Sequence, residues 1–216
     1  MTLTILRGNA LALPLADESV DLVVTSPPYW SLRAYQDNGE AYEGQIGSES
    51  TAAEFIDNLI AVTRELVRVL KPSGSIFVNL GDKMADKSLM LLPERYRIRA
   101  VDELGLIARA VVIWSKPNGL PESVTDRVRR SHEDWVHLTK QPRYYSAVDE
   151  IREAHANPAD AQRPRLGTKH EAGSIAGGGF GNTGGNPLGK LPGSVWTIAT
   201  EPLQVPDHLG IDHFAA

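Results

Sequence analysis

The chain has 216 residues, 42% of them hydrophobic and 23% charged, and its formal net charge is −5. This length allows one domain with a substantial core. The negative charge argues against binding nucleic acid by bulk electrostatics but permits a local basic patch. Cysteine is absent, which excludes disulfides and Cys-ligated zinc, and no spacing of His and carboxylates predicts another metal site. Without a signal-peptide pattern or a membrane-length apolar run, we expect a cytoplasmic protein that has no membrane partner.

Two strands are predicted before residue 26. Thr2 to Leu6 alternates like a short strand and ends at the turn residues Gly8-Asn9. Val20 to Val24 is a run of β-branched and apolar residues, typical of a buried parallel strand. The pair Pro27-Pro28 ends this second strand, because proline has no backbone N–H to donate and fixes its own φ.

The loop after the second strand carries a hydroxyl, two prolines and two aromatic rings, at Ser26, Pro27, Pro28, Tyr29 and Trp30. In open α/β sheets, ligands bind at the carboxyl ends of the parallel strands. The Ser26 hydroxyl and the Pro27 carbonyl are acceptors that would pull the amino group of a nucleobase towards sp³ geometry and localise its lone pair. Tyr29 offers a face on which a base extruded from its duplex can stack. A proline-rich turn with a surface tyrosine is the alternative interpretation.

The following elements alternate between helices and strands. A capping box at Thr51–Glu54 begins a helix with one apolar face, which Lys71–Gly74 ends. Pro93 begins a second helix, which Gly105 ends. Strands are predicted at Ser75–Asn79, Leu106–Ser115, Asp134–Thr139 and Ser194–Ala199. A helix followed at once by a strand indicates a right-handed parallel crossover.

Several polar residues lie beside these strands. The segment Asn79–Asp82 lies at the carboxyl end of a strand and is expected to border the same crevice as the loop. Within it Asp82 is a site candidate, although a cap or turn role is favoured. His137 alternates with apolar neighbours and is expected on a strand face, whereas His132 precedes that strand. Basic residues concentrate at Arg127, Arg129, Arg130, Lys140 and Arg143. A solvated basic face is the simpler explanation of that cluster when it is considered alone.

The chain resembles the amino-group DNA methyltransferases, which use S-adenosylmethionine to methylate N4 of cytosine or N6 of adenine. The loop Thr25–Trp30, after the strand Asp21–Val24, is similar to their catalytic loop. Other similar segments, in the family's order, are Gly8–Leu11, Gly44–Gly47, Lys71–Ser75, Lys116–Asn118, Pro121–Ser123, Arg130–Glu133 and Gly193–Trp196. The lack of cysteine agrees with an amino-nitrogen target, because methylation of a cytosine carbon uses a cysteine nucleophile.

The resemblance implies an α/β fold, a Rossmann-like S-adenosylmethionine-dependent methyltransferase core with a mostly parallel sheet and an antiparallel edge strand. It implies catalytic roles for Ser26, Pro27, Pro28 and Tyr29. It also implies DNA or substrate contacts for Trp30, Lys116, Arg130 and His132, and cofactor contacts for Asn9 and Thr25. Asn9 stands where the family often has an acidic residue, so a turn-forming asparagine is an equal alternative.

Double-stranded DNA is the expected partner. Ser26, rather than an aspartate, at the first position of the loop favours N4 of cytosine, with N6 of adenine a close alternative. Methylation of an amide, or of a base outside DNA, is a third possibility, because related Pro-Pro-Tyr loops also serve there. The segments at Lys116 and Arg130 resemble those of DNA enzymes and disfavour it.

Three parts are predicted along the chain. Residues 1–148 form the catalytic, base-handling part, and 149–193 form a glycine-rich segment that reads DNA in the resembled enzymes. Residues 194–216 form a return strand. Gly177–Gly181 is a weak match to a nucleotide-binding loop, because no strand precedes it.

In the permuted branch that the segment order indicates, the glycine loop and the acidic residue for the cofactor's ribose come after residue 216. We therefore expect an incomplete S-adenosylmethionine pocket, a C-terminally truncated or split enzyme, and possible pairing with a complementary chain. The alternative function is a remnant that binds DNA or a partner chain without activity alone.

Overall fold

A computed structural model describes residues 3–6, 8–32, 36–37, 40–41, 44–119, 121–162 and 185–201. The described residues form two compact units. One comprises those up to Tyr145 together with those from Ser194 onward, and the other lies within Ser146–Gly193. None of the helices in the described part is both long and apolar enough to cross a membrane.

The first unit alternates strands and helices in chain order. Its strands are β1 (Val20–Thr25), β2 (Gln36–Asp37), β3 (Glu40–Ala41), β4 (Leu70–Leu80), β5 (Met84–Ala85), β6 (Ser88–Leu89), β7 (Ile107–Ser115), β8 (His132–Thr139) and β9 (Val195–Thr197). Its helices are α1 (Ala52–Val69) and α2 (Leu92–Leu104). The pairs β2–β3 and β5–β6 are small antiparallel hairpins.

The main sheet has five strands in the order β1-β4-β8-β7-β9. Strands β1 and β4 are parallel, as are β7 and β9, while β8 is antiparallel to both of its neighbours. Four of the five strands therefore run in one direction, and the predicted α/β class with a mostly parallel sheet is confirmed. The position expected for the antiparallel strand is wrong for the described sheet, because β8 lies at its centre. The reason is that β8 pairs with both β4 and β7 and therefore has a neighbouring strand on each side.

Helix α1 begins where the sequence predicts. The Thr51 hydroxyl accepts the N–H of Glu54 at 3.2 Å, and the Glu54 carboxylate accepts the N–H of Thr51 at 3.0 Å, so both halves of the capping box are present. The helix ends earlier than predicted, since Leu70 is already extended and Lys71–Gly74 belongs to β4. Pairing with β1 explains this, because a Cβ on Gly74 would lie 2.8 Å from the Asp21 carbonyl oxygen.

Helix α2 packs with α1 over one face of the sheet. Its C-terminal residue is followed by Gly105 at φ +65°, which confirms the predicted glycine end. The Tyr96 ring is buried, its hydroxyl is 2.9 Å from the Thr63 hydroxyl of α1, and burial raises its pKa to about 12. Apolar side chains of both helices and of alternate positions in β4 and β8 form the core: Phe55, Ile56, Leu59, Ile60, Ile76, Val78, Leu80, Leu92, Val136 and Leu138.

The opposite face of the sheet carries His137, as the alternation predicted. Its ring stacks on Phe77, with 4.2 Å between ring centroids, and its Nε2 lies 3.1 Å from the Ser75 hydroxyl. Burial, together with the nearby positive charge of Arg109, lowers the pKa of His137 to about 4. His137 is thus a neutral structural residue.

One predicted strand is not formed among the described residues. Residues 3–6 have no strand structure, and Leu3 and Ile5 are 86% and 84% exposed. Alternation alone did not suffice there, because a strand needs a neighbouring strand to satisfy its backbone. Gly177–Gly181 lies outside the described residues.

The second unit has two short 3₁₀ helices, Val148–Ile151 and Pro158–Gln162. Backbone hydrogen bonds join Glu153 to Lys190 in both directions. Gly189, at φ +108°, packs so closely on this pair that a Cβ would lie 2.2 Å from the Glu153 carbonyl oxygen. The role of residues 149–193 in reading DNA stays a prediction.

Candidate active site

Four chain segments meet at one edge of the sheet. Strands β1, β4 and β7 all end at this edge, at Thr25, Leu80 and Ser115, and the antiparallel β8 begins there. Residues that are far apart in sequence therefore come together where ligands bind in α/β folds. The predicted catalytic loop follows β1. Its Tyr29 contacts residues at the end of β4 and near the start of β8.

Tyr29 is the centre of this arrangement. Its hydroxyl lies 2.8 Å from Asn79 Oδ1 at the end of β4 and 2.6 Å from Glu133 Oε2 near the start of β8. The pKa of the phenol is raised far above its usual value, first by burial and then by its hydrogen bond to Glu133 and that residue's negative charge. Tyr29 is therefore a neutral hydrogen-bond donor rather than a surface tyrosine.

Glu133 joins Tyr29 to the segment after β7. Its other carboxylate oxygen, Oε1, forms an ion pair with Nζ of Lys116. The Lys116 ammonium also lies 4.2 Å from the centroid of the Trp114 ring. The side chains of Lys116 and Glu133 are only 18% and 16% exposed. The structure thus places Lys116, which the sequence assigned to DNA, in a contact within the protein.

Ser26 and Pro27 supply the acceptors expected of the loop. Ser26 is half-buried, and its nearby hydroxyl opposes the rise in the pKa of Tyr29. Within the described part of the chain, no hydrogen-bond donor reaches the Pro27 carbonyl.

The segment 47–49 packs against the loop. The Ser31 N–H donates to the Gly47 carbonyl at 2.6 Å, and Gly47 lies against Pro28 and Tyr29 at φ +97°. Any Cβ at Gly47 would lie 3.0 Å from the Tyr29 carbonyl oxygen, so glycine is required there. The Trp30 indole N–H donates to the Glu49 carbonyl at 2.9 Å, and the ring packs on the core. Trp30 thereby anchors the end of the catalytic loop.

Gly81 permits the position of the Tyr29 ring. A Cβ built on Gly81 would lie 2.8 Å from Cε2 and 3.1 Å from Cδ2 of that ring. The ring is therefore held at its side by the Gly81 backbone and at its tip by Glu133 and Asn79. Together these contacts set its orientation before any ligand binds.

Arg130 and His132 lie beside this centre. Arg130 Nε donates to the His132 carbonyl at 3.1 Å, and Arg130 Nη1 is 3.5 Å from Asp82. Burial lowers the pKa of Arg130, opposed by the charges of Asp134 and Glu133. Asp82 accepts the N–H groups of Leu91 and Leu92 at the start of α2, which confirms the favoured cap role. Asp82, Arg130 and His132 line a cavity of about 400 Å³, together with Arg127 and Arg129.

Asn9 and Thr25, the predicted cofactor residues, lie on either side of β1 in sequence. Asn9 Oδ1 accepts the N–H of Leu11 at 2.9 Å, and Ala12 donates to the Asn9 carbonyl. Asn9 thus forms the turn that was its alternative role. Thr25 is half-buried and is the last residue of β1, paired in parallel with Val78.

The comparison with known families agrees with this site. The family model for N6/N4 enzymes, described as DNA methylase, matches residues 20–208 of the chain. The chain belongs to this DNA methylase family. The match contains the catalytic loop, β4, β7 and β8, and thus every segment that meets at Tyr29.

Individual methylases extend the comparison. The chain is 35% identical over 180 residues to the type II methyltransferase M.SfiI of Streptomyces fimbriatus, an alignment covering 76% of this chain and 40% of that protein. It is 34% identical over 181 residues to M.Cfr9I of Citrobacter freundii, covering 69% and 58%. The solved PvuII cytosine-N4-specific DNA methyltransferase matches with a TM-score of 0.63 and 17% identity over 97% of this chain and 63% of that one, which shows the shared fold. The chain thus spans between 40% and 58% of the length of these two curated methylases.

No role at this site was predicted from the sequence for Asn79, Gly81 and Glu133, although the segment Asn79–Asp82 was expected to border the crevice. Asn79 interrupts the apolar run of β4 and is 1% exposed, and a buried amide needs a hydrogen-bond partner. That interruption was a usable signal. Glu133 lies within the family-like segment Arg130–Glu133, but only the basic residues Arg130 and His132 of that segment were predicted to contact DNA. No sequence feature near Gly81 predicts that the Tyr29 ring packs on it.

Proposed function

We propose that this protein is a DNA amino-methyltransferase that methylates N4 of cytosine, or N6 of adenine, on a base extruded from duplex DNA. The observation that carries the proposal is the tether of the Ser26–Tyr29 loop, whose tyrosine is fixed by Asn79 and Glu133 at the carboxyl end of β1. The family to which the chain belongs supports the same reaction.

The described residues favour a direct transfer. Ser26 Oγ and the Pro27 carbonyl would accept the two hydrogens of the base amino group, moving the nitrogen towards sp³ geometry and aiming its lone pair. The two prolines and the contact with Gly47 keep this loop stiff, so that little ordering is needed when the base arrives. The Tyr29 ring, held at its tip, offers a face for stacking. The nitrogen would bond to the methyl carbon as the carbon–sulfur bond of the donor breaks, and it would then release one proton to solvent. No covalent bond to the protein is needed.

The methyl donor implied by the family is S-adenosylmethionine, whose sulfonium carries a transferable methyl group. A ligand of this kind can reach the end of β1, because Val24 is 60% exposed and Thr25 beside it is half-buried. Thr25 is our proposed contact. Asn9 fits less well, since its amide oxygen is already occupied by its own turn; its amide N–H₂ group is the part left for a ligand.

DNA is proposed to approach over the start of β8. His132 is exposed there, and Arg127, Arg129 and Arg130 share the adjoining cavity. Ion pairs with Glu122 and Asp82 reduce what Arg127 and Arg130 offer to phosphate. We therefore expect the arginines to position the duplex, rather than to supply most of the affinity.

The test is transfer of labelled methyl groups from S-adenosylmethionine to genomic DNA, followed by digestion to nucleosides and chromatography. N4-methylcytosine or N6-methyladenine as the labelled product identifies the target base. Ser26→Ala is the matched variant. If label appears on carbon 5 of cytosine, or if no DNA product forms although the protein binds the cofactor, the proposed reaction is wrong.

A second candidate function is binding to a complementary chain without activity alone. Strand β1 is at one edge of the described sheet, and Leu22 and Val24 are 53% and 60% exposed on the face that they share. Exposed apolar edge strands favour pairing with another strand. Light scattering of the purified protein, with and without Leu22→Lys, tests whether this edge pairs with a second copy of the chain. Light scattering of a mixture with a candidate complementary chain tests the second function itself, and a mixture that stays monomeric at all concentrations contradicts it.

A further inference from the structure

The Tyr29 hydroxyl has one hydrogen but two acceptors within reach. Asn79 Oδ1 lies at 2.8 Å and Glu133 Oε2 at 2.6 Å. A hydrogen bond to a carboxylate is shorter and stronger than one to a neutral amide. The hydrogen of Tyr29 therefore points to Glu133.

Lys116 keeps the Glu133 carboxylate charged and in place. Its ammonium pairs with Oε1, which leaves Oε2 for the tyrosine, so each oxygen of the carboxylate has its own partner. Both side chains are more than four-fifths buried, where an ion pair is little screened by salt. Lys116 is fixed in turn by the face of the Trp114 ring.

The bond between Tyr29 and Glu133 also fixes the loop that precedes the tyrosine. Only Pro27 and Pro28 separate Ser26 from Tyr29, and each proline fixes its own φ. The position of Tyr29 therefore sets the position of the Ser26 hydroxyl and of the Pro27 carbonyl, the two acceptors proposed for the base amino group.

We propose that Glu133, held by Lys116, is a positioning residue that orients the Tyr29 hydroxyl and so fixes the Ser26–Tyr29 loop that receives the target base. This role rests on the proposed function, which it deepens. Lys116 then acts through Glu133. In this role the loss of Glu133 or Lys116 affects the reaction through Tyr29 and the loop that it fixes.

The experiment compares Glu133→Ala, Glu133→Gln, Lys116→Met and Tyr29→Phe in the full chain. Lys71→Met is the control, because Lys71 also pairs with a carboxylate, Asp21 at 2.9 Å, but at the opposite end of β1. One readout is kcat and KM for DNA in methyl transfer. The other is the ¹³C NMR signal of tyrosine Cζ, with the Tyr29 signal among the chain's six tyrosines assigned from Tyr29→Phe.

We expect Glu133→Ala and Lys116→Met to lower kcat by roughly 10- to 100-fold, the effect of losing one charge-assisted hydrogen bond. KM for DNA should stay within about threefold of the wild-type value. Glu133→Gln should recover part of the loss, since its amide oxygen still accepts. Adding Tyr29→Phe to Glu133→Ala should cost nothing further, because both break the same chain. Lys71→Met should behave as wild type.

The NMR readout separates this inference from the proposed function. If the wild-type protein transfers no methyl group, the proposed function fails, but the Tyr29 signal still tests the positioning. In Glu133→Ala that signal should shift, and the phenol should titrate at lower pH than in the wild type, because Glu133 raises its pKa. Each of three results would overturn the assignment. The first is a Tyr29 titration that Glu133→Ala leaves unchanged, and the second is a double variant in which the effects of Glu133→Ala and Tyr29→Phe on kcat multiply. The third is a rise in KM for DNA with kcat unchanged.

Discussion

Gly81→Ala adds one methyl group to the site without removing any polar atom. The new Cβ would lie 2.8 Å from Cε2 of Tyr29, where ordinary contact begins near 3.4 Å. The ring must therefore move by at least 3.4 − 2.8, or about 0.6 Å. It cannot rotate away freely, because its hydroxyl is bonded to Glu133 at 2.6 Å.

A displacement of this size should disable the site more than the fold. We expect kcat to fall by roughly 10- to 100-fold, since a misplacement near 1 Å has that effect on catalysis. The free energy of unfolding should fall by about 1–3 kcal/mol, the usual cost of overpacking. Methyl-transfer kinetics and urea denaturation measure the two quantities on the same preparation.

Gly105→Ala is the matched control. Gly105 has φ +65° at the end of α2, and nothing lies within 4 Å of its would-be Cβ. Alanine there should lower the free energy of unfolding by about 1 kcal/mol through backbone strain and leave kcat unchanged. If Gly81→Ala is as active as Gly105→Ala while the fold is retained, the ring is not held as we describe.

Three further perturbations test the site and the fold. Ser26→Ala should lower turnover by about 1.5–3 kcal/mol of transition-state stabilisation and leave DNA affinity in gel-shift titration unchanged; equal losses in both would remove Ser26 from the chemistry. Thr51→Ala should lower the free energy of unfolding by about 1 kcal/mol, measured by urea denaturation, because the N–H of Glu54 loses its cap, whereas Thr51→Ser should keep most of it. His137 has a folded pKa of about 4 against 6.5 unfolded, so the unfolded chain binds the proton more tightly. Stability should therefore fall as the pH drops through this window, by at most about 3 kcal/mol. A stability-pH profile as steep in His137→Gln as in the wild type would show that another group is responsible.

The sequence by itself determined the local features of the protein. The β-branched run at Val20–Val24, the two prolines that end it and the capping box at Thr51 each depend on residues within a few positions of one another. Their backbone preferences and hydrogen bonds are satisfied locally, so the pattern is enough. The position of the loop Ser26–Tyr29 could be predicted for the same reason, and its catalytic role stays a prediction. The end of α1 was misplaced because Lys71–Gly74 is drawn into β4 by its pairing with β1.

Only the tertiary structure decided how the site is assembled. Tyr29 and Glu133 are 104 residues apart, and Tyr29 and Asn79 are 50 apart. They meet because β8 lies antiparallel between β4 and β7 and brings its first residues to the edge where the other strands end. Strand order is set by burial and backbone pairing over the whole sheet, and no local pattern encodes it. The predicted DNA contact of Lys116 stays a prediction, and its ion pair with Glu133, 17 residues further along the chain, became visible only in the folded protein.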